Sequence, residues 1–142
     1  MAMTYNNSLL QALREAPSME QFMAEHGAEL HTESMSELLE ALLERRGLSK
    51  AALARRSATS EVYLHQVFSG RRSPSRDRLL CLCLGLECEL RHVQELLRRC
   101  GYSMLYERDR RDAMLLYCVL HKKSVFETNE LLDKFGEALL IR

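Results

Sequence analysis

Tryptophan is absent from the 142 residues, proline occurs twice and glycine six times. Runs of β-branched residues are few as well. So thin a supply of helix breakers and strand formers favours an all-α fold. Long hydrophobic runs are also missing. The longest, Ala113 to Leu120, is far short of the roughly 20 residues a membrane-crossing helix needs, and no basic-plus-apolar leader opens the chain. A cytoplasmic location without membrane contact is therefore expected. Cysteine is present in an odd number, five, without the spacing of a secreted disulfide framework, so reduced thiols are expected. The chain contains no P-loop, no Gly-rich dinucleotide turn and no zinc-protease motif. Neither a cofactor nor enzymatic activity is expected.

What is present is an ordinary soluble composition, 46% hydrophobic and 28% charged, with a formal net charge of zero. The balance hides an uneven layout. Residues 1–47 hold 8 acids against 3 bases, residues 48–111 hold 13 bases against 7 acids, and the remainder holds 4 bases and 5 acids. A basic middle between neutral-to-acidic flanks suits a polyanion-binding face. It equally suits a solvated surface on which Arg pairs with Glu.

Cap and stop signals divide the chain into helices. The first six residues look unstructured, and Ser8–Glu15 reads as a short helix closed by Ala16-Pro17. Ser18 and Gln21 have capping-box spacing ahead of a helix that ends at Gly27. Thr32 or Ser34 caps the next, whose Leu38, Leu39, Leu42 and Leu43 share a face and which Gly47 stops. Ser49 and then Thr59 or Ser60 cap two helices of about two turns each. Gly70 ends the second, and Pro74 sits near the start of a helix running to about Gly85. A helix from Glu89 to Cys100 carries Val93, Leu96 and Leu97 on one stripe and stops at Gly101. Ser103–Tyr106 is the one weak strand candidate. Arg108–His121 is apolar on nearly all sides in its second half, as in a core or a subunit interface. Ser124 and Glu127 open a last helix through Phe135. One domain is expected over 1–142, with a helical extension at 1–35, a core at 36–100 and C-terminal helices at 101–142 that could dimerise.

Within that core stand Leu48-Ser49-Lys50, Leu53-Ala54, Ala58, Leu64, Val67, Gly70-Arg71-Arg72, Pro74, and Leu79, Leu82 and Leu86. Ala54 and Ala58 would let two helices cross closely, while Leu53, Leu64 and Val67 fill the wedge between them. Over residues about 36–90 this layout resembles the helix-turn-helix core of the phage-repressor-like (XRE/Cro) DNA-binding family. The resemblance implies a repressor-like helical bundle with extra N- and C-terminal helices, binding double-stranded DNA as a homodimer. It also implies that Glu61, Val62, Tyr63 and Gln66 face base edges in the major groove. Gln66 suits adenine and Val62 a thymine methyl. Lys50, Ser60, Arg71, Arg72 and Arg76 would then face phosphates, with help from Ser73. The chain departs from the family at Glu61 (usually polar or basic), at Tyr63 (bulky), at Phe68 (often Glu) and at Ala58 (usually Gly). An adaptor that keeps the fold but docks a protein partner is the alternative.

Other constellations are read as structural. Cys81 and Cys83 lie about 200° apart on one helix, so no metal site is expected. Cys83 and Cys88 take positions the family buries. Cys81 and Leu84 take positions it exposes, which suggests that the extra helices cover them. Cys118 and His121 lack a third group for nucleophilic chemistry, and His121, Lys122 and Lys123 suit a helix C-terminus. Arg108-Asp109-Arg110-Arg111-Asp112 reads as a local charge lattice or an extension of the basic face. Met19, Met23 and Met35 read as core, with a pliable partner surface as the alternative.

Overall fold

Among the described residues, six helices open on a serine whose hydroxyl accepts a hydrogen bond from the backbone amide three residues further on. Each such bond satisfies one of the donors that a helix start leaves orphaned, worth about 1 kcal/mol. The computed structural model describes residues 4–30 and 34–142. All regular structure among the described residues is helical: α1 (Thr4–Glu15), α2 (Met19–His26), α3 (Met35–Arg46), α4 (Lys50–Ser57), α5 (Glu61–Phe68), α6 (Arg76–Leu86), α7 (Leu90–Arg99), α8 (Arg110–Leu120) and α9 (Val125–Lys134), with a 3-10 turn at Gly27–Glu29. None of these helices is long and apolar enough to cross a membrane. The chain forms two compact units, residues 1–33 and 34–142.

The first unit holds α1, α2 and the 3-10 turn. Helix α1 starts at Thr4, ahead of the expected Ser8. Ser18 caps α2 at 3.1 Å, but Gln21 does not reciprocate; its amide turns to Glu25 at 3.2 Å instead. Phe22 is buried and its ring packs on His26, with centroids 5.1 Å apart. Met19 and Met23, expected in the core, are about half exposed. Thr32, one of two candidate caps for α3, lies outside the described residues. Ser34 fills that role in a reciprocal capping box with Glu37.

In the second unit α6 is the hub. Every residue from Leu79 to Leu86 is buried, and α3, α4, α7, α8 and α9 all pack against it. Cys81 and Leu84 lie in this buried run, as expected if the C-terminal helices cover that side. The close crossing with α4 rests on Gly85, which the sequence suggests only as a helix end. A Cβ there would lie 3.0 Å from Leu53 Cδ1, 3.2 Å from the Ser57 amide nitrogen and 3.3 Å from the Arg56 carbonyl carbon. Ala58, expected to share in that crossing with Ala54, is instead the exposed left-handed cap of α4 at φ +58°.

Helix α6 runs past Gly85 and ends at Glu87, also left-handed at φ +52°. The Glu87 carboxylate meets Arg46 of α3 at 3.2 Å and Arg56 of α4 at 3.1 Å. Its carbonyl, like that of Cys88, accepts from the Lys122 ammonium (2.9 and 3.4 Å). Lys122 thus supports the C-terminus of α6, where the helix dipole favours a cation, rather than that of its own helix.

Two side-chain amides pin extended segments that no strand partners. Gln94 donates to the Leu105 carbonyl at 3.0 Å and accepts from the Leu105 amide at 2.8 Å. Asn129 treats the C-terminus the same way, through the Ile141 carbonyl (2.7 Å) and the Leu140 amide (2.8 Å). Ser103–Tyr106, the weak strand candidate, is held in this manner without a strand. In the Arg108–Asp112 run Arg108 is exposed, and the other four residues are engaged. Asp109 caps α8, Asp112 pairs with Arg76, Arg111 with Asp77, and Arg110 with Glu137. These ties hold α8 to α6 and to the C-terminal segment.

Candidate nucleic-acid interface

Helices α4 and α5 are joined by Ala58-Thr59-Ser60, and their mutual packing is built from Leu53, Ala54, Leu64 and Val67, all buried. The turn is stiffened from inside. The buried Ser57 hydroxyl donates to the Leu53 carbonyl at 2.7 Å and lies 2.8 Å from the Thr59 hydroxyl. Ser60 then caps α5 through the Tyr63 amide at 3.1 Å. At the far end the Gln66 carbonyl accepts from the Arg71 amide (2.9 Å) and the Arg72 amide (3.1 Å), which fixes where the basic loop leaves the helix.

With its wedge side buried, α5 turns the rest of its surface outward. Glu61, Val62, His65 and Ser69 are exposed, and Val62 stands 68% exposed. At 100° per residue these four fall within one quadrant or so, with Gln66 beside them and Tyr63 at the edge. His65 sits between Glu61 and Ser69 on that face. Sequence reasoning missed it, although its i+4 spacing from Glu61 was the available signal.

Tyr63 is half-buried and serves as a platform. The Arg72 guanidinium lies 5.2 Å from its ring centroid and that of Arg78 lies 5.5 Å away. Burial raises the Tyr63 phenol above its ordinary value against the opposing pull of those two cations, so the ring stays neutral at physiological pH. Arg72 also donates to the Gln66 side-chain oxygen at 3.4 Å. Neither Arg72 nor Arg78 has a carboxylate partner among the described residues. Arg78 is a second residue that the sequence reading missed.

Around this platform opens a cleft of about 630 Å³, lined by Thr59, Ser60, Tyr63, Arg72, Ser73 and Arg78 with Ala58 and Ser75. The first turns of both α5 and α6 adjoin it, so two sets of N-terminal amides add their partial positive charge. Of the two acids adjacent in sequence to lining residues, Glu61 and Asp77, neither lines the cleft, and Asp77 is bidentate with Arg111 at 3.1 and 3.3 Å.

The expected phosphate-facing residues separate into two groups. Ser60, Arg71 and Arg72 are exposed around the end and the start of α5. Lys50 is less free. Its ammonium lies 3.8 Å from Glu40 and 5.3 Å from the Phe68 ring. Arg76 faces inward, donating to both Asp112 oxygens (3.2 and 3.1 Å), the Ser103 carbonyl (3.1 Å) and the Met104 carbonyl (3.4 Å). Four of the five N–H donors of a guanidinium are thereby engaged.

Four of the five cysteines, Cys81, Cys83, Cys88 and Cys118, are buried free thiols, and burial pushes Cys81 up to about 12. His121 is exposed and stacks on Tyr117 at 4.1 Å.

No curated protein and no solved structure matches the chain. Residues 34–97, from the cap of α3 through most of α7, match a family model described as a helix-turn-helix domain.

Proposed function

We propose that the protein is a sequence-specific double-stranded DNA-binding transcriptional regulator of the phage-repressor-like (XRE/Cro) kind. The observation that carries this reading is the outward face of α5, flanked by Arg71, Arg72 and Arg78 with no carboxylate partner among the described residues. Helix α5 enters the major groove, and Glu61, Val62 and Gln66 meet base edges. Gln66 pairs with adenine through its amide, and the exposed Val62 methyls pack on a thymine methyl. Glu61 selects a cytosine amino group or repels the duplex. Ser60, Arg71 and Arg72 hold phosphates and set the register. Arg76 stabilises the fold through Asp112 and stays off the backbone.

One short helix reaches few bases, so the reading includes a homodimer that places two copies of α5 about one helical turn apart, about 34 Å. Tyr117, Leu120 and Phe126, which are 49, 60 and 71% exposed around the α8–α9 turn, offer the apolar surface for a second copy. Light scattering then gives twice the 16.4 kDa chain mass, and Leu120→Glu halves it. A protein-docking adaptor is the second reading, favoured by Glu61 beside an exposed Val62 on one helix.

Enrichment from a randomised duplex pool tests the proposal. The wild type enriches one motif, and Gln66→Ala relaxes preference at an adenine position, with a loss of about 1–3 kcal/mol in discrimination. A pool that stays random for the folded wild type contradicts sequence-specific binding.

A further inference from the structure

We propose that the cleft between the N-termini of α5 and α6 seats one backbone phosphate of duplex DNA, with Arg78 as its principal ligand. The inference rests on the DNA-binding reading above and adds to it a site and a residue that the sequence did not single out.

The cleft has the chemistry of a phosphate diester site. Arg72 and Arg78 both stack against Tyr63, which holds two like charges at one opening. An anion between them relieves their repulsion and takes up guanidinium donors in the planar arrangement that phosphate oxygens match. Hydroxyl groups supply the rest. Ser60 and Ser75 accept from the Tyr63 amide (3.1 Å) and the Arg78 amide (3.2 Å), which leaves each O–H hydrogen free to donate into the cleft. Ser73 lies exposed at the rim.

Two nearby acids are held elsewhere, while Glu61, next to Ser60, is exposed and lies outside the cleft lining. Asp77 is clamped by Arg111, and Asp112 by Arg76. The charge ties made by α8 therefore leave the cleft with two cations and no carboxylate in its lining. An open cleft of about 630 Å³ is large for a bare phosphate, and it admits the flanking sugars of a strand crossing from α5 to α6. Tyr63 becomes a positioning residue in this arrangement, since its ring is occupied by guanidinium groups and stands at the edge of the base-reading face.

The full chain is titrated onto a labelled random 30-base-pair duplex by fluorescence anisotropy across a salt series, with circular dichroism as the check on folding. Arg78→Gln is expected to weaken binding about tenfold and to reduce the log–log salt slope by about one. Arg78→Lys restores most of the slope. Tyr63→Leu keeps both charges but loses their platform, so it weakens binding about threefold with little change in slope. Ser73→Asp changes only an exposed rim position and is expected to match Arg78→Gln even if the latter fails to fold. If the wild type binds and Ser73→Asp and Arg78→Gln bind equally well with the same slope, the DNA-binding reading stands and the cleft assignment is overturned. If the wild type binds no duplex at low salt, both are overturned. Inorganic phosphate that shifts the Ser60, Tyr63 and Ser75 amides in such a non-binding protein assigns the cleft to a free phosphate instead.

Discussion

Ala58 carries a Cβ at φ +58°, where an L side chain costs about 1 kcal/mol, and the site is exposed. Gly85 is the reverse case, an ordinary helical glycine with no room for a Cβ because the α4 backbone lies against it. Ala58→Gly should therefore stabilise the protein by about 0.5–1 kcal/mol, and Gly85→Ala should cost about 1–3 kcal/mol. Urea denaturation reads both, and a shift in the same direction for the two would contradict the account. The ion pair between Arg76 and Asp112 is tested at the same scale. Asp112→Ala leaves a mostly buried guanidinium unpaired and frees the Tyr106 amide, at a cost of about 3 kcal/mol. Arg76→Ala should lower the melting temperature yet leave the salt slope of DNA binding unchanged. A fall in that slope by about one would put Arg76 on a phosphate after all.

Helix starts were legible because a cap and its target are three residues apart. Ser18, Ser49 and Ser124 could be read from local spacing, Ser34 and Ser60 as one of two candidates each, and all five cap a helix. The wedge of Leu53, Leu64 and Val67 was legible through the layout the chain shares with the family it resembles. What could not be read were elements that depend on distant partners. The roles of Gly85, Arg76 and Arg111 are set by residues about 30 positions away. The segments around Leu105 and Leu140 lack any period of their own and are held by side chains distant in sequence, Gln94, Arg76 and Asp112 for the first and Asn129 and Arg111 for the second. Asn129→Ala should consequently release the C-terminal segment, leaving the Leu140 amide without its partner. The expected cost is about 1–3 kcal/mol, with early proteolytic loss of residues after about 136. A variant as protease-resistant as the wild type would show that burial of Leu140 and the Arg111 bonds to the Ala138 and Leu139 carbonyls suffice to hold that segment.

Across the whole molecule the zero net charge resolves into a division of labour among the arginines. Arg46, Arg56, Arg76 and Arg111 are paired with Glu87, Asp112 and Asp77, and these pairs join α3, α4, α6 and α8. Arg71, Arg72 and Arg78 have no acidic partner among the described residues and gather around α5. The basic middle of the sequence is thus partly scaffold and partly face, which a charge count alone cannot separate. The most direct test of that face is the affinity of the unmodified protein for a random 30-base-pair duplex at low and at moderate salt. The account predicts clear binding at low salt that weakens with a log–log slope of about −3, from Arg71, Arg72 and Arg78 of one chain. A folded, helical protein that binds no duplex at low salt would contradict it.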